Sequence, residues 1–335
     1  MRSRIFAFFL IVVMVMLAAC GAPSKEDVMK KLSGKWNDAK GYDLQATMEI
    51  KTGSEPRLYD VAVWHTKPEF YRVNVTQNGS KDSQMIVRND EGVFVVTPSL
   101  GKTYKFQSDW PAQNSQAYLI GALSGDIQAD KNATMTEKDK TYVFETATRN
   151  NHKKVLPTQQ IHIDKKTLLP THVSVLDENK EEKIRISFKK ITLGTARGAK
   201  DYAVEMDGAN TEKEKKPTSG EQVSLQTYYP SVAWKDVTMT TEDVVKLENG
   251  TRTFMTFEGA KEYVIIQEPA VAPDDSTIPV AIEGDPVDLG FTVAALTETS
   301  IRWEANGVSF FIASETLTQD EMIEVASSMK AEGMK

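Results

Sequence analysis

The chain has one cysteine, Cys20, and it closes the run Leu17-Ala18-Ala19-Cys20. Arg2 and Arg4 precede an unbroken apolar stretch from Ile5 to Leu17, and Ala18-Ala19 supply the small side chains a signal peptidase requires. This is the three-part arrangement of a secretory signal. The stretch is short for a spanning helix, which needs roughly 20 apolar residues. A cysteine directly after the small residues changes the expectation from a secreted to a lipid-anchored protein. A disulfide within the chain is excluded for want of a second cysteine. With Cys20 consumed, the folded body has no thiol left for redox catalysis or a thiolate metal site.

Other reactive side chains are sparse. His162 and Asp164 lie two apart on one expected strand, and His172 lies across the following turn. Such nitrogen and oxygen donors suit zinc. Ile161 and Ile163 alternate with them, however, which puts His162 and Asp164 on the solvent face of a half-buried strand. No metal site is expected there. His65 and His152 stand alone, in a strand and a polar loop. Asp126 and Asp130 are a carboxylate pair of the kind that hydrolyses glycosides, and a solvated turn accounts for them equally well. The sequence holds no G-x-S-x-G, no H-E-x-x-H and no phosphate-cradling G-x-x-x-x-G-K-S/T motif. The expectation is a non-enzymatic protein without catalytic residues, metal or cofactor.

The N-terminal junction resembles the lipobox of bacterial lipoproteins, in which the thiol receives a diacylglyceryl group and becomes the new N-terminus after cleavage. That implies a signal peptide over residues 1–19 and a mature chain starting at Cys20. Each buried methylene contributes about 0.8 kcal/mol and one acyl chain binds only marginally, so two or more hold a protein on a bilayer. The expected location is the extracytoplasmic face of the cell membrane. The composition, 40% hydrophobic and 26% charged, is that of an ordinary globular chain. A formal net charge of -7 argues against nucleic acid as a partner, since phosphate binding needs a basic stripe.

The elements follow from periodicity. Ser24 caps an opening helix, Asp27 completes an acidic capping box, and Val28, Leu32 and Trp36 recur at i, i+4 and i+8 as one apolar face. Gly41 is expected to end it. From Tyr42 the period becomes two: Tyr42, Leu44, Ala46, Met48 and Ile50 alternate with polar residues, as in a strand with one buried face. Short strands follow at Leu58–Thr66, Phe70–Val75, Gln84–Arg88, Val93–Thr97 and Thr103–Phe106, with a strong hairpin signal at Asn78-Gly79. A second helix is expected where Ser108 or Asp109 caps, Pro111 suits the first turn, and Tyr118, Leu119 and Leu123 supply apolar contacts before Gly125. Strands resume at Thr141–Thr146, Thr158–Ile163, His172–Leu176 and Lys183–Ile191.

This order predicts an α+β fold in which helices cover one face of a large curved antiparallel sheet. Residues 208–221, charged and free of large apolar side chains, read as a linker. Residues 222–335 read as a small α+β C-terminal domain. It should hold a strand at Lys261–Gln267, a hairpin of Ser300–Trp303 with Gly307–Ala313, and a last helix begun by Thr318 and Glu321 that carries Met322, Val325, Ala326 and Met329.

The segment from Gln160 to Ile191, QIHIDKKTLLPTHVSVLDENKEEKIRISFKKI, resembles the signature hairpin of the LolA/RseB-like lipoprotein-carrier superfamily. Asp164, Thr167, Pro170 and Asp177 stand at the motif's positions; Asp164 and Thr167 can hold the turn through side-chain to backbone hydrogen bonds, and Pro170 fixes the exit angle. The likeness runs from about Ser24 to Met206. With the lipobox and the added C-terminal stretch, the chain most resembles the YdcC-type, GerS-related sporulation lipoproteins of spore-forming Gram-positive bacteria. This resemblance implies an incomplete LolA-like barrel over residues 20–207, closed by helices around a hollow for an apolar ligand. The ligand would be a lipid, an acyl chain or the lipidated end of another protein. Trp64, Tyr71, Val73, Phe94 and Leu119 are the expected inner-face residues. The alternative is a non-enzymatic envelope scaffold or regulator that docks a cell-wall enzyme or a membrane protein. Carriers that shuttle lipoproteins are soluble, whereas this chain has its own expected anchor, which argues against free shuttling between membranes.

Overall fold

The computed structural model describes residues 23–51, 56–79, 83–108, 110, 116–150, 153–204, 226–270, 279–289 and 292–331. Cys20, Asp109, Pro111, His152 and the expected linker lie outside the described residues. Helix α1 (Lys25–Asp38) starts as expected, with Ser24 Oγ accepting from the Asp27 N–H at 3.1 Å and with Val28, Leu32 and Trp36 buried. It stops before Gly41, which opens the first strand instead. A Cβ there would lie 2.2 Å from the His65 carbonyl and 2.4 Å from that of Thr195. Glycine is needed at this position for close chain approach, not for helix termination.

Six strands then form a meander: β1 (Gly41–Ile50), β2 (Arg57–Thr66), β3 (Phe70–Gln77), β4 (Ser83–Asn89), β5 (Gly92–Thr97) and β6 (Lys102–Phe106). Helix α2 (Ile120–Ala129) carries the chain to the far side. A second meander returns through β7 (Thr134–Lys138), β8 (Thr141–Ala147), β9 (Thr158–Asp164), β10 (Pro170–Leu176) and β11 (Glu182–Leu193). Because β11 pairs antiparallel with β1, the two meanders fuse into one sheet of order 6-5-4-3-2-1-11-10-9-8-7. Alternation decides its inner face. Leu44, Val63, Val73, Ile86, Val95 and Tyr104 stand side by side across β1 to β6. They join Leu32 and Trp36 of α1, Leu123 and Ile127 of α2, and Phe144 and Ile161 of the second meander in one apolar cluster.

Helix α2 begins at Ile120, later than expected, and runs straight through Gly125. A Cβ on Gly125 would lie 2.7 Å from Arg149 Nη2. The glycine makes room for Arg149 to cross the helix surface.

The remaining strands are β12 (Tyr228–Pro230), β13 (Val237–Leu247), β14 (Gly250–Gly259), β15 (Tyr263–Pro269), β16 (Val280–Ala281), β17 (Asp285–Asp288), β18 (Val293–Leu296), β19 (Ser300–Ala305), β20 (Val308–Ala313) and β21 (Met329–Ala331). Seven of them form a second sheet, 13-14-15-20-19-18-17, and β12 pairs with β21. Helix α3 (Gln319–Ser327) starts on the Thr318–Glu321 capping box and buries Met322, Ile323, Val325 and Ala326 in a second apolar cluster. The β13–β14 hairpin was not foreseen, although Asn249-Gly250 is a turn signal. Strand β16 leaves this module and pairs in parallel with β6, extending the first sheet.

Candidate functional site

The five expected ligand residues do not share a face. Tyr71, Val73 and Leu119 belong to the inner-face cluster, with Val73 fully buried. Trp64 and Phe94 lie on the opposite face, and their assignment to the hollow is corrected. Trp64 follows Val63 and Phe94 precedes Val95, and successive strand residues point to opposite faces. Phe94 packs with Val87 and Tyr202, the last supplied by a short 3-10 turn at Ala199–Tyr202. Trp64 lies beneath the Arg197 guanidinium, whose Cζ is 3.9 Å from the ring centroid. Arg197 in turn holds both oxygens of Asp43, at 2.6 and 3.2 Å. The outer face is thus closed by its own cluster, and the alternation was legible in the sequence.

The inner side is occupied by the chain itself. Ala295 is part of the inner-face cluster, and Ile282 and Val293 pack against it. Gln84 Oε1, on the inner face of β4, accepts from the Val293 N–H at 2.7 Å. Tyr118 Oη donates to Asp288 at 3.2 Å, and burial followed by the Asp288 charge raises its pKa well above the usual phenol value. Glu304 accepts from Lys102 Nζ and from Tyr104 Oη. Burial and then the Glu304 charge push the Tyr104 phenol upward as well. Between the sheet and this segment remains a void of about 10 Å³, lined by Met48, Val75, Ile86, Tyr118, Asp288 and Val293 among others. At the rim a larger cleft of about 60 Å³ includes Arg57, Tyr59, Gln77 and Glu304 in its lining. The second carboxylate oxygen of Glu304, Oε2, is buried without a hydrogen-bond partner among the described residues.

The polar groups singled out by sequence turn out to hold the scaffold. Asp126 is buried, not in a solvated turn: it accepts from Arg149 Nε and from Gln159 Nε2, each at 2.6 Å, which pins α2 to the second meander. Asp130 accepts from the backbone N–H groups of Ala147 and Asn132, each at 2.8 Å. His162 and His172 face each other across β9 and β10 with stacked rings 3.8 Å apart. Burial, then the neighbouring His162, pushes His172 down to about 4. Among the described residues no three His, Cys, Asp or Glu side chains converge as a metal-binding set. His65 is not isolated: its ring stacks on Tyr71 at 4.2 Å and its Nδ1 is 3.0 Å from the Phe70 carbonyl oxygen. In the signature hairpin, Asp164 Oδ1 accepts from the Thr167 and Lys166 N–H groups at 2.6 and 3.1 Å. The Thr167 bond is the main reason its carboxyl sits below the usual range.

The family model for YdcC-like sporulation proteins matches residues 1–193. Sporulation protein YdcC of Bacillus subtilis (strain 168) is 36% identical over 330 residues, 96% of this chain and 95% of the relative. The chain belongs to the YdcC-like sporulation protein family. That agrees with the resemblance to YdcC-type sporulation proteins read from the sequence. Looser likenesses link this family member to two solved structures. One is the Pseudomonas aeruginosa MucA/MucB complex, at 13% identity and a TM-score of 0.34, covering 92% of this chain and 99% of that one. The other is a LolA superfamily protein from Nitrosomonas europaea, at 10% identity and a TM-score of 0.32, covering 55% of this chain and 99% of that one.

Proposed function

We propose that this member of a sporulation family is a membrane-tethered, non-enzymatic envelope scaffold or regulator that docks a cell-wall enzyme or a membrane protein. In this reading the curved sheet is kept filled by the chain's own C-terminal module, not by a lipid. The packing of Ile282, Val293 and Ala295 against the inner face carries it, because the spaces described there are a void of about 10 Å³ and a rim cleft of about 60 Å³. Spaces of that size hold about one water and a few waters respectively, and no acyl chain. The engagement of Asp126 and Asp130 as helix anchors supports a body without hydrolytic chemistry. The Leu17-Ala18-Ala19-Cys20 junction supports the tether.

Native mass spectrometry of the chain from Ser24 onward, purified without detergent, tests the filled interior. The expected result is the mass of the polypeptide alone. A mass excess that organic solvent removes would overturn it and restore the apolar-ligand reading. Cys20→Ala tests the tether separately: the variant should lose membrane partitioning or remain unprocessed. Unchanged partitioning and mass would refute lipidation.

A further inference from the structure

Among the described residues the two main sheets end in four strands, β7 and β16 in the large sheet and β13 and β17 in the small one. An unpaired strand edge is a template for another chain, and proteins blunt it with short length, charge or proline. Strands β7, β16 and β17 follow this rule, with 5, 2 and 4 residues. Strand β7 adds Glu137 and Lys138, and β17 adds Asp285, Pro286 and Asp288. Strand β13 also carries charge, at Glu242, Asp243 and Lys246, but it is long and without proline. It has 11 residues, all exposed except the two ends. Met239, Val244 and Val245 on it are 42%, 59% and 47% exposed. Its partner β14 buries Thr253, Met255 and Phe257 on the same sheet.

We infer that the free edge of β13 pairs with β13 of a second copy of this chain, antiparallel about a two-fold axis through Val244. The ladder between β13 and β14 is regular from Thr241 to Leu247, beyond the irregularity at Met239/Thr241. Val244 is the centre of that stretch. In this register Val244 opposes Val244 of the second copy, and Glu242 opposes its Lys246 on both sides of the axis. Glu242 and Val244 pair with Met255 and Thr253 of β14, so they stand on the buried face of the small sheet. Self-pairing therefore extends that face across the dimer, with Val244 against Val244 at its centre. Glu242 Oε1 accepts from Tyr229 Oη at 3.0 Å, which holds the carboxylate while its other oxygen meets the ammonium. Sliding the register to centre on Asp243 sets two Asp243 carboxylates opposite each other, and like charges directly opposite are destabilising. The charge pattern is complementary to itself in one register, which is why a second copy is the occupant.

The test is disulfide trapping of full-length protein in membranes under mild oxidation. A Val244→Cys variant places two thiols at opposed positions of neighbouring strands, within disulfide range. It should give a cross-linked dimer at least about tenfold more abundant than Leu58→Cys, whose position on β2 does not face itself. Adding Lys246→Glu to Val244→Cys should lower the trapped fraction about tenfold, and further adding Glu242→Lys should restore it. Light scattering of the unmodified chain in mild detergent should give a two-chain mass. Trapping no greater than in Leu58→Cys overturns the inference. So does trapping indifferent to Lys246→Glu, a one-chain mass at micromolar concentration, or a link formed only to a different protein. Circular dichroism confirms that each variant is folded before trapping is scored.

Discussion

The inner face of the large sheet is held by apolar packing, whereas the joint it makes with the C-terminal module adds directed polar contacts to that packing. On the inner face, Val73, Leu123, Phe144 and Ile161 are fully buried apolar side chains. At the joint, Lys102, Tyr104 and Glu304 share one hydrogen-bonded cluster, and Gln84 and Tyr118 reach across to Val293 and Asp288. Apolar burial stabilises without direction, at about 25 cal/mol per Å². Charged contacts of low exposure fix position but contribute little net stability, because desolvation offsets their attraction. The C-terminal module has its own apolar cluster and lends Ala295, Ile282 and Val293 to the inner-face one, while the polar contacts of the joint set where it sits.

The strongest way to break the comparison is Phe144→Ala. Loss of this fully buried ring should cost about 3–5 kcal/mol in denaturant unfolding; a cost below about 1 kcal/mol would mean that the inner face is not tightly packed. Next comes Asp126→Ala, which strands Gln159 and Arg149 at the end of α2. Its expected cost is about 2–3 kcal/mol, since Arg149 is partly solvated and Gln159 is not. At the joint, Glu304→Met alone should cost about 1–2 kcal/mol by leaving Lys102 unpaired, whereas the Lys102→Met/Glu304→Met double variant should be nearly neutral. Hydrogen exchange at β16 should quicken in the single variant only. A double variant as damaged as the single would show that the charges themselves stabilise the joint.

The smallest effect is a pH dependence. His172 is lowered by burial and by His162 from 6.5 to about 4, so the folded state favours the neutral ring. As pH falls below 6.5 the unfolded chain takes up the proton first, and stability is lost progressively until pH reaches about 4. Denaturation midpoints measured across this window should decline, and His172→Asn should flatten the slope. An equal decline in the variant would assign the effect to other groups.

Local pattern was enough for most elements. The cap at Ser24, the face of Val28, Leu32 and Trp36, the alternation of β1 and the Asp164–Thr167 turn depend on neighbours within a few residues, and the sequence carries those neighbours. The same locality explains the misreadings at Gly41 and Gly125. Both looked like helix stops, yet each answers to a distant group, the Thr195 carbonyl in one case and Arg149 in the other. Trp64 and Phe94 were placed on the wrong face although period-two counting from Val63 and Val95 would have separated them.

By itself, then, the sequence determined the family, the helix-and-meander order, the apolar rows and the single thiol at Cys20. Only the tertiary structure decided what covers those rows. Any apolar segment can satisfy an exposed row, and which one does depends on contacts between residues far apart in the chain. Here Ile282, Val293 and Ala295 take the inner face, Tyr202 takes the outer one, and Arg149 and Gln159 claim Asp126.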